Sequence, residues 1–180
     1  MTNIFESLKD FISPLIDNEK NPLHVGEVSN LWILLTMLED GISLYQTSLN
    51  TSKDGELLHT LEKGMQLSIN SINKLKTFMQ HEGIPLTKPA EPKPKSNPDS
   101  IPLGVKQTDD EIANLVSVKV AAEITLIGQA LAMTIRNDVG LILLGTLIEL
   151  LKFGTSLKSM MIKRGWIKVP PYYYPPGGTS

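Results

Sequence analysis

Cysteine is absent from the 180-residue sequence, which removes disulfide scaffolds, thiol nucleophiles, iron–sulfur clusters and thiolate zinc sites together. The compartment stays open, because a chain without cysteine is stable in either redox environment. Neither sign of charge dominates: 17 basic and 19 acidic side chains give a net charge of −2. Without a run of Lys or Arg, the chain lacks the electrostatic footprint of a nucleic-acid binder, and no nucleic-acid partner is expected. Long apolar runs are also missing. The longest, Val139 to Leu151, is interrupted by Thr146 and Glu149. It falls short of the ~20 residues that cross a bilayer, so it reads as a core helix and no transmembrane segment is expected. Residues 1–20 carry acidic side chains and Pro14 where a signal peptide would carry a basic and then an apolar region. No signal peptide is read there, and cytoplasmic synthesis is expected. Glycine-rich phosphate loops, G-x-S-x-G and Cys-His pairs do not occur, which leaves nucleophilic catalysis without support.

What is present is helical periodicity across a length that suits one domain, residues 1–180. A short amphipathic helix is predicted from Ile4 to Ile16, within the opening segment 1–20. Residues 23–82 read as a helical pair. Leu31, Leu34, Leu38, Ile42, Tyr45 and Leu49 mark one face of its first member, and Leu58, Leu61, Met65, Ile72, Leu75 and Met79 mark its second. Asp54 is placed to cap the second helix, and Gly83 followed by Pro85 to end it. Between 84 and 107 the composition changes, with prolines at 85, 89, 92, 94, 98 and 102. That pattern predicts an extended crossover, long enough at ~3.1 Å per residue to span the pair.

Thr108 and Glu111 form a capping-box signal that opens a second pair over 108–164. Its third helix is predicted to reach about Arg136, and its fourth to run from Val139 to Arg164 with Gly165 beyond. The tail, 165–180, holds Trp166, Tyr172, Tyr173, Tyr174 and four prolines, and cannot be helical; its stiff amphipathic rings suit an interface, the alternative being a tail that lies back over the bundle. Two short-looped pairs joined by a long connection predict an all-α, ferritin-like antiparallel four-helix bundle. The fourth helix is apolar on more than one face, which predicts a homodimer.

Bundles of this kind often hold two metals between Glu and Glu-x-x-His ligands. At 100° per residue, Glu27 and Glu123 each fall within about 30° of their helix's apolar direction, whereas Glu149 and His59 point outward. Glu27 and Glu123 differ in height by roughly 15 Å, and the only related spacing is the reversed His24-Val-Gly-Glu27. Glu27, Glu123 and His24 are thus the candidate ligands for a transition metal such as iron or manganese, but no metal, cofactor or catalytic residue is expected. Lys119, four residues before Glu123, is expected to pair with it. A Glu27–Lys76 pair is expected to fix helix register, His24 to cap or pack beneath the opening helix, and His81 to meet a helix C-terminus.

The blocks His24-Val-Gly-Glu-Val-Ser-Asn-Leu-Trp32, Arg136-Asn-Asp-Val139 and Lys163-Arg-Gly-Trp-Ile-Lys-Val-Pro-Pro-Tyr172 resemble an uncharacterised family from spore-forming bacteria. That family is similar to spore coat protein F, and the resemblance runs from about Leu23 to Tyr172. It implies a ferritin-like bundle with a loose link to the spore, in which other coat proteins are the expected partners and no enzymatic activity is implied. The expectation is a non-enzymatic structural or interaction protein. The alternatives are a metal-binding ferritin-like protein or degenerate metal-dependent oxidoreductase, and a peripheral membrane binder that uses the opening helix and the tail.

Overall fold

The structure, a computed structural model, describes residues 21–176. The helix expected at Ile4–Ile16 and the end of the tail lie outside the described residues. Four helices follow in order: α1, Val25–Thr51; α2, Gly55–His81; α3, Asp109–Met133; and α4, Asn137–Arg164. A single 3-10 turn, Pro98–Ser100, interrupts the crossover.

The ends of these helices follow from local chemistry. Asp54 accepts the Leu57 amide at 2.9 Å, and Thr108 and Glu111 cap each other's orphan amides. Gly83 and Gly165 end α2 and α4 in the left-handed region, at φ 73° and 70°, where a side chain would be strained. The α3–α4 junction differs from its sequence reading. Helix α3 stops at Met133, not Arg136, and α4 begins at Asn137, not Val139. In the link, the Thr134 amide still meets the Leu131 carbonyl, whereas the Ile135 and Arg136 amides are taken up by a carboxylate on α1, described below.

Helix α1 packs on α2 and α3, and α4 packs on the same two, so α1–α4 and α2–α3 are the diagonals. The crossover carries the chain from the His81 end of the bundle to the Asp109 end, as a ferritin-like topology requires. It is tied to one stripe of α1. The Thr87 hydroxyl donates to Glu39, the Lys93 amide to Gln46 at 3.0 Å and the Ser96 amide to Asn50 at 3.0 Å, and Lys53 pairs with Asp99. The α1 anchors, Glu39 to Asn50, span about 16 Å, so the strap from Thr87 to Ser96 advances under ~2 Å per residue and is bent, short of the ~3.1 Å polyproline rise.

The core falls into two apolar clusters. One holds Leu31, Leu35, Leu75, Ile127 and Leu143; the other holds Leu57, Leu61, Val116, Phe153 and Leu157. A polar layer at mid-bundle lies between them. Helices α3 and α4 are each long and apolar enough, by length and composition, to cross a bilayer. This departs from the expectation drawn from the short 139–151 run, although core helices of a bundle pass the same test. In the tail, Trp166 and Ile167 pack on the core, whereas Tyr172, Tyr173 and Tyr174 are 79%, 82% and 63% exposed and do not lie back over it.

Candidate functional site

Polar side chains enter the bundle at its lower end and at its middle. At the lower end, His24 is the N-cap of α1. Its Nδ1 accepts the amides of Gly26 at 3.0 Å and Glu27 at 3.3 Å. That acceptor role leaves Nε2 as the donor to the Met133 carbonyl at 3.2 Å. Glu27 returns the cap, accepting the His24 amide on Oε2. Its Oε1 accepts the amides of Ile135 at 2.9 Å and Arg136 at 2.8 Å. A buried carboxylate on α1 therefore holds the two amides that lead into α4, where its charge also meets the positive end of the helix dipole. Arg136 completes the latch: its guanidinium forks onto Glu82 at 2.6 and 2.9 Å, reaches Asp138 at 2.7 Å and donates to the Asn21 carbonyl. These hydrogen bonds hold the Glu82 carboxyl below the usual glutamate range, with partial burial opposing them.

At mid-bundle, Glu123 is fully buried and accepts from Lys119 Nζ at 2.7 Å. Burial pushes its carboxyl above the usual range, and the nearby ammonium only partly offsets this. The same ammonium lies 5.0 Å from the centroid of the Tyr45 ring. Burial, and secondarily the Glu123 charge, raise the Tyr45 phenol. Two glycines make room for this layer. A Cβ on Gly41 would stand 2.1 Å from Lys119 Cε, and one on Gly64 would stand 2.6 Å from both Tyr45 Oη and Phe153 Cζ.

The Glu27–Lys76 pair does not form. Lys76 instead meets Glu39 at 2.6 Å. Side chains lean toward the N-terminus of their own helix, so on antiparallel helices Lys76 and Glu39 lean toward each other. Glu27 leans off the bundle end, toward the α3–α4 link. His24 caps α1 as expected, the Lys119–Glu123 pair is present, and Glu149 and His59 are exposed. His81 ends α2 beside Glu82 at 3.5 Å. Sequence reasoning missed Arg136, Glu82 and Glu39, and placed Tyr45 on the apolar face of α1 without its ammonium neighbour. Arg136 and Glu82 lie outside the helical periodicity, and the only signal for Arg136 was its place in the Arg136-Asn-Asp-Val139 block.

A metal needs free donors that converge. Both oxygens of Glu27 and both ring nitrogens of His24 are engaged by backbone groups. Glu123 has an ammonium on Oε1, with Oε2 unpaired. Glu27 bonds the link beyond Met133, ten residues after Glu123, so the two carboxylates stand on the order of 15 Å apart. Among the described residues no three His, Asp or Glu side chains are grouped for a metal. This donor set does not fit the two-metal centre that the fold family implies.

The second end of the bundle is clamped in a similar way. Arg164 pairs with Asp54 at 2.8 Å and Glu56 at 3.1 Å and lies 5.7 Å from the Trp166 ring centroid. The Trp166 carbonyl accepts from Asn114 at 3.1 Å.

Comparison with known proteins agrees with this architecture. The chain is 24% identical over 156 residues to the uncharacterized protein YvdQ of Bacillus subtilis, covering 86% of this chain and 91% of that one. A crystal structure of a provisionally named spore coat protein from Bacillus halodurans superposes with a TM-score of 0.83. It shares 26% identity, with 86% of this chain and 97% of that chain covered. A two-domain protein from Anabaena variabilis, with DJ-1/ThiJ/PfpI-like and ferritin-like domains, matches at a TM-score of 0.63 and 14% identity. The match covers 95% of this chain and 52% of that one, and bears on the fold alone. The family described as "Protein of unknown function (DUF3231)" matches residues 14–178, so the chain belongs to the DUF3231 family.

Proposed function

We propose that this protein is a non-enzymatic structural or interaction protein associated with the spore coat, working as a homodimer without a metal or other cofactor. One observation carries the reading. The polar groups at the bundle end are consumed by the chain's own backbone and by one another: Glu27 spans amides on two segments, and Arg136 spans two carboxylates and a carbonyl. Groups so engaged hold a fold in place, whereas a catalytic group must exchange partners with substrate. The likeness to a provisionally named spore coat protein supports the cellular setting. Other coat proteins are then its natural partners. Among the described residues, the feature on the side of metal or redox chemistry is the unpaired Oε2 of Glu123, and an ammonium 2.7 Å from the same carboxylate opposes a second cation there.

A fluorescent fusion expressed in a sporulating Bacillus host tests the setting. The signal is expected at the periphery of the spore and in coat extracts. A signal that stays in the mother-cell cytosol through spore release would count against coat association.

A further inference from the structure

An exposed crossover is the usual place for a folded chain to be nicked, because a protease needs several residues that it can draw out in extended form. Residues 84–107 are such a stretch. They hold four lysines, at 88, 93, 95 and 106, and no arginine, and Lys88, Lys93 and Lys95 are exposed. Each lysine is an address for a serine protease whose acidic pocket takes a basic side chain. Hydrolysis there passes the lysine acyl carbon to the protease serine and then to water, while the next residue leaves as a free amine.

All four bonds are obstructed. Lys88 and Lys93 are followed by Pro89 and Pro94. A prolyl nitrogen is part of a ring and carries no N–H, and the ring crowds the residue before it, so such a bond fits poorly at the point of cleavage. Lys95 precedes Ser96, an ordinary bond, and here α1 intervenes. Asn50 donates its Nδ2 to the Pro94 carbonyl at 2.8 Å and accepts the Ser96 amide on Oδ1 at 3.0 Å. Its side-chain amide brackets Lys95 as a neighbouring strand would, and it holds the leaving nitrogen itself. Two residues earlier, the Lys93 amide donates to Gln46 at 3.0 Å. A protease that binds its substrate as an added strand needs those same backbone groups.

Lys106 is half-buried and precedes Gln107. Its Nζ donates to the Pro98 carbonyl at 2.7 Å, and its amide to the Pro102 carbonyl at 3.1 Å. The side chain is thus lodged against the strap and not presented to an acidic pocket. The prolines act through the chain itself and the tethers through the fold, and the two fall on complementary bonds.

We infer that the crossover is a protease-resistant strap. Pro89 and Pro94 block cleavage after two lysines, Asn50 with Gln46 blocks it after Lys95, and the Pro98 tether blocks it after Lys106.

Trypsin digestion read by mass spectrometry tests this on the folded full chain, beside a peptide of residues 80–112 as the untethered reference. The peptide is expected to be cut after Lys95 and Lys106 but not after Lys88 or Lys93. The folded chain is expected to be cut after Lys95 and Lys106 at least about a hundredfold more slowly than the peptide. Asn50→Ala is expected to speed cleavage after Lys95 by about tenfold, because losing two hydrogen bonds raises the population of opened strap. Cleavage after Lys74, inside α2, reports global unfolding. A variant cut there is replaced by Gln46→Ala, which frees the Lys93 amide and is also expected to speed cleavage after Lys95. A native chain cut after Lys95 as fast as the peptide overturns the inference. So does resistance unchanged in Asn50→Ala, or a peptide cut after Lys88 or Lys93.

Discussion

The Glu27 carboxylate accepts the Arg136 backbone amide at 2.8 Å, joining the first turn of α1 to the residue that precedes α4. The same carboxylate accepts from Ile135 and His24, so one buried side chain satisfies amides on two segments more than a hundred residues apart. Its removal strands the Arg136 amide, whose bond is buried, and takes the acceptor from the part-buried Ile135 and His24 amides. Glu27→Ala is expected to cost about 3 kcal/mol in urea unfolding, and Glu27→Gln, which keeps one acceptor, clearly less. Equal losses in the two variants would mean that the caps are not what the carboxylate supplies.

The Arg136 fork on Glu82 makes stability depend on acid. The folded-state value of Glu82 lies below its unfolded value, so its contribution is present above the ordinary glutamate value of ~4.3. It is lost as pH falls through the lowered folded value. Glu82→Gln is expected to destabilise the protein at neutral pH and to flatten the fall in stability below about pH 4.3. Thermal melts at pH 3–7 check this; parallel curves for the two proteins would show that Glu82 is not a titrating member of the latch.

The pair at mid-bundle is a buried ion pair. Removing one partner leaves the other charge in the core, and Lys119→Met or Glu123→Leu alone is expected to cost about 3–5 kcal/mol. The double variant is expected to recover most of that loss, since an apolar pair of similar volume suits the flanking clusters. Additive losses in a double-mutant cycle would contradict coupling between the two side chains.

Gly64 separates helix propensity from packing. Alanine is favoured over glycine in a helix by roughly 1 kcal/mol, yet an added Cβ would stand 2.6 Å from the Phe153 and Tyr45 rings, which cannot give way cheaply. Gly64→Ala is therefore expected to destabilise by about 1–3 kcal/mol. Gly128→Ala, with open space around its Cβ, is expected to raise the stability of the isolated protomer. Denaturant midpoints give both signs.

The topology was legible because its signals are local. Asp54, Thr108, Glu111, Gly83 and Gly165 are caps that act within a few residues of themselves, and six prolines mark the crossover. Lys119 and Glu123 are i, i+4 neighbours, so their pairing could also be read off the chain. The latch could not, since Glu27 meets residues more than a hundred positions away and their partners are backbone amides, which carry no residue-type signal. The Lys76–Glu39 pair was missed for a related reason. Helix register fixes which Cα atoms are level, whereas long side chains meet several residues away from that level. The Arg136-Asn-Asp-Val139 and His24-to-Trp32 blocks, read at first as marks of resemblance, are in large part the two halves of one structural latch.

Metal content tests most directly whether the interior carboxylates serve the fold and not a metal centre. Protein purified without chelators, then incubated with excess Fe(II) or Mn(II) and desalted, is measured by inductively coupled plasma mass spectrometry. The expected result is less than about a tenth of a metal ion per chain, unchanged in Glu123→Gln. One or two ions per chain, lost in Glu27→Gln or Glu123→Gln, would contradict it.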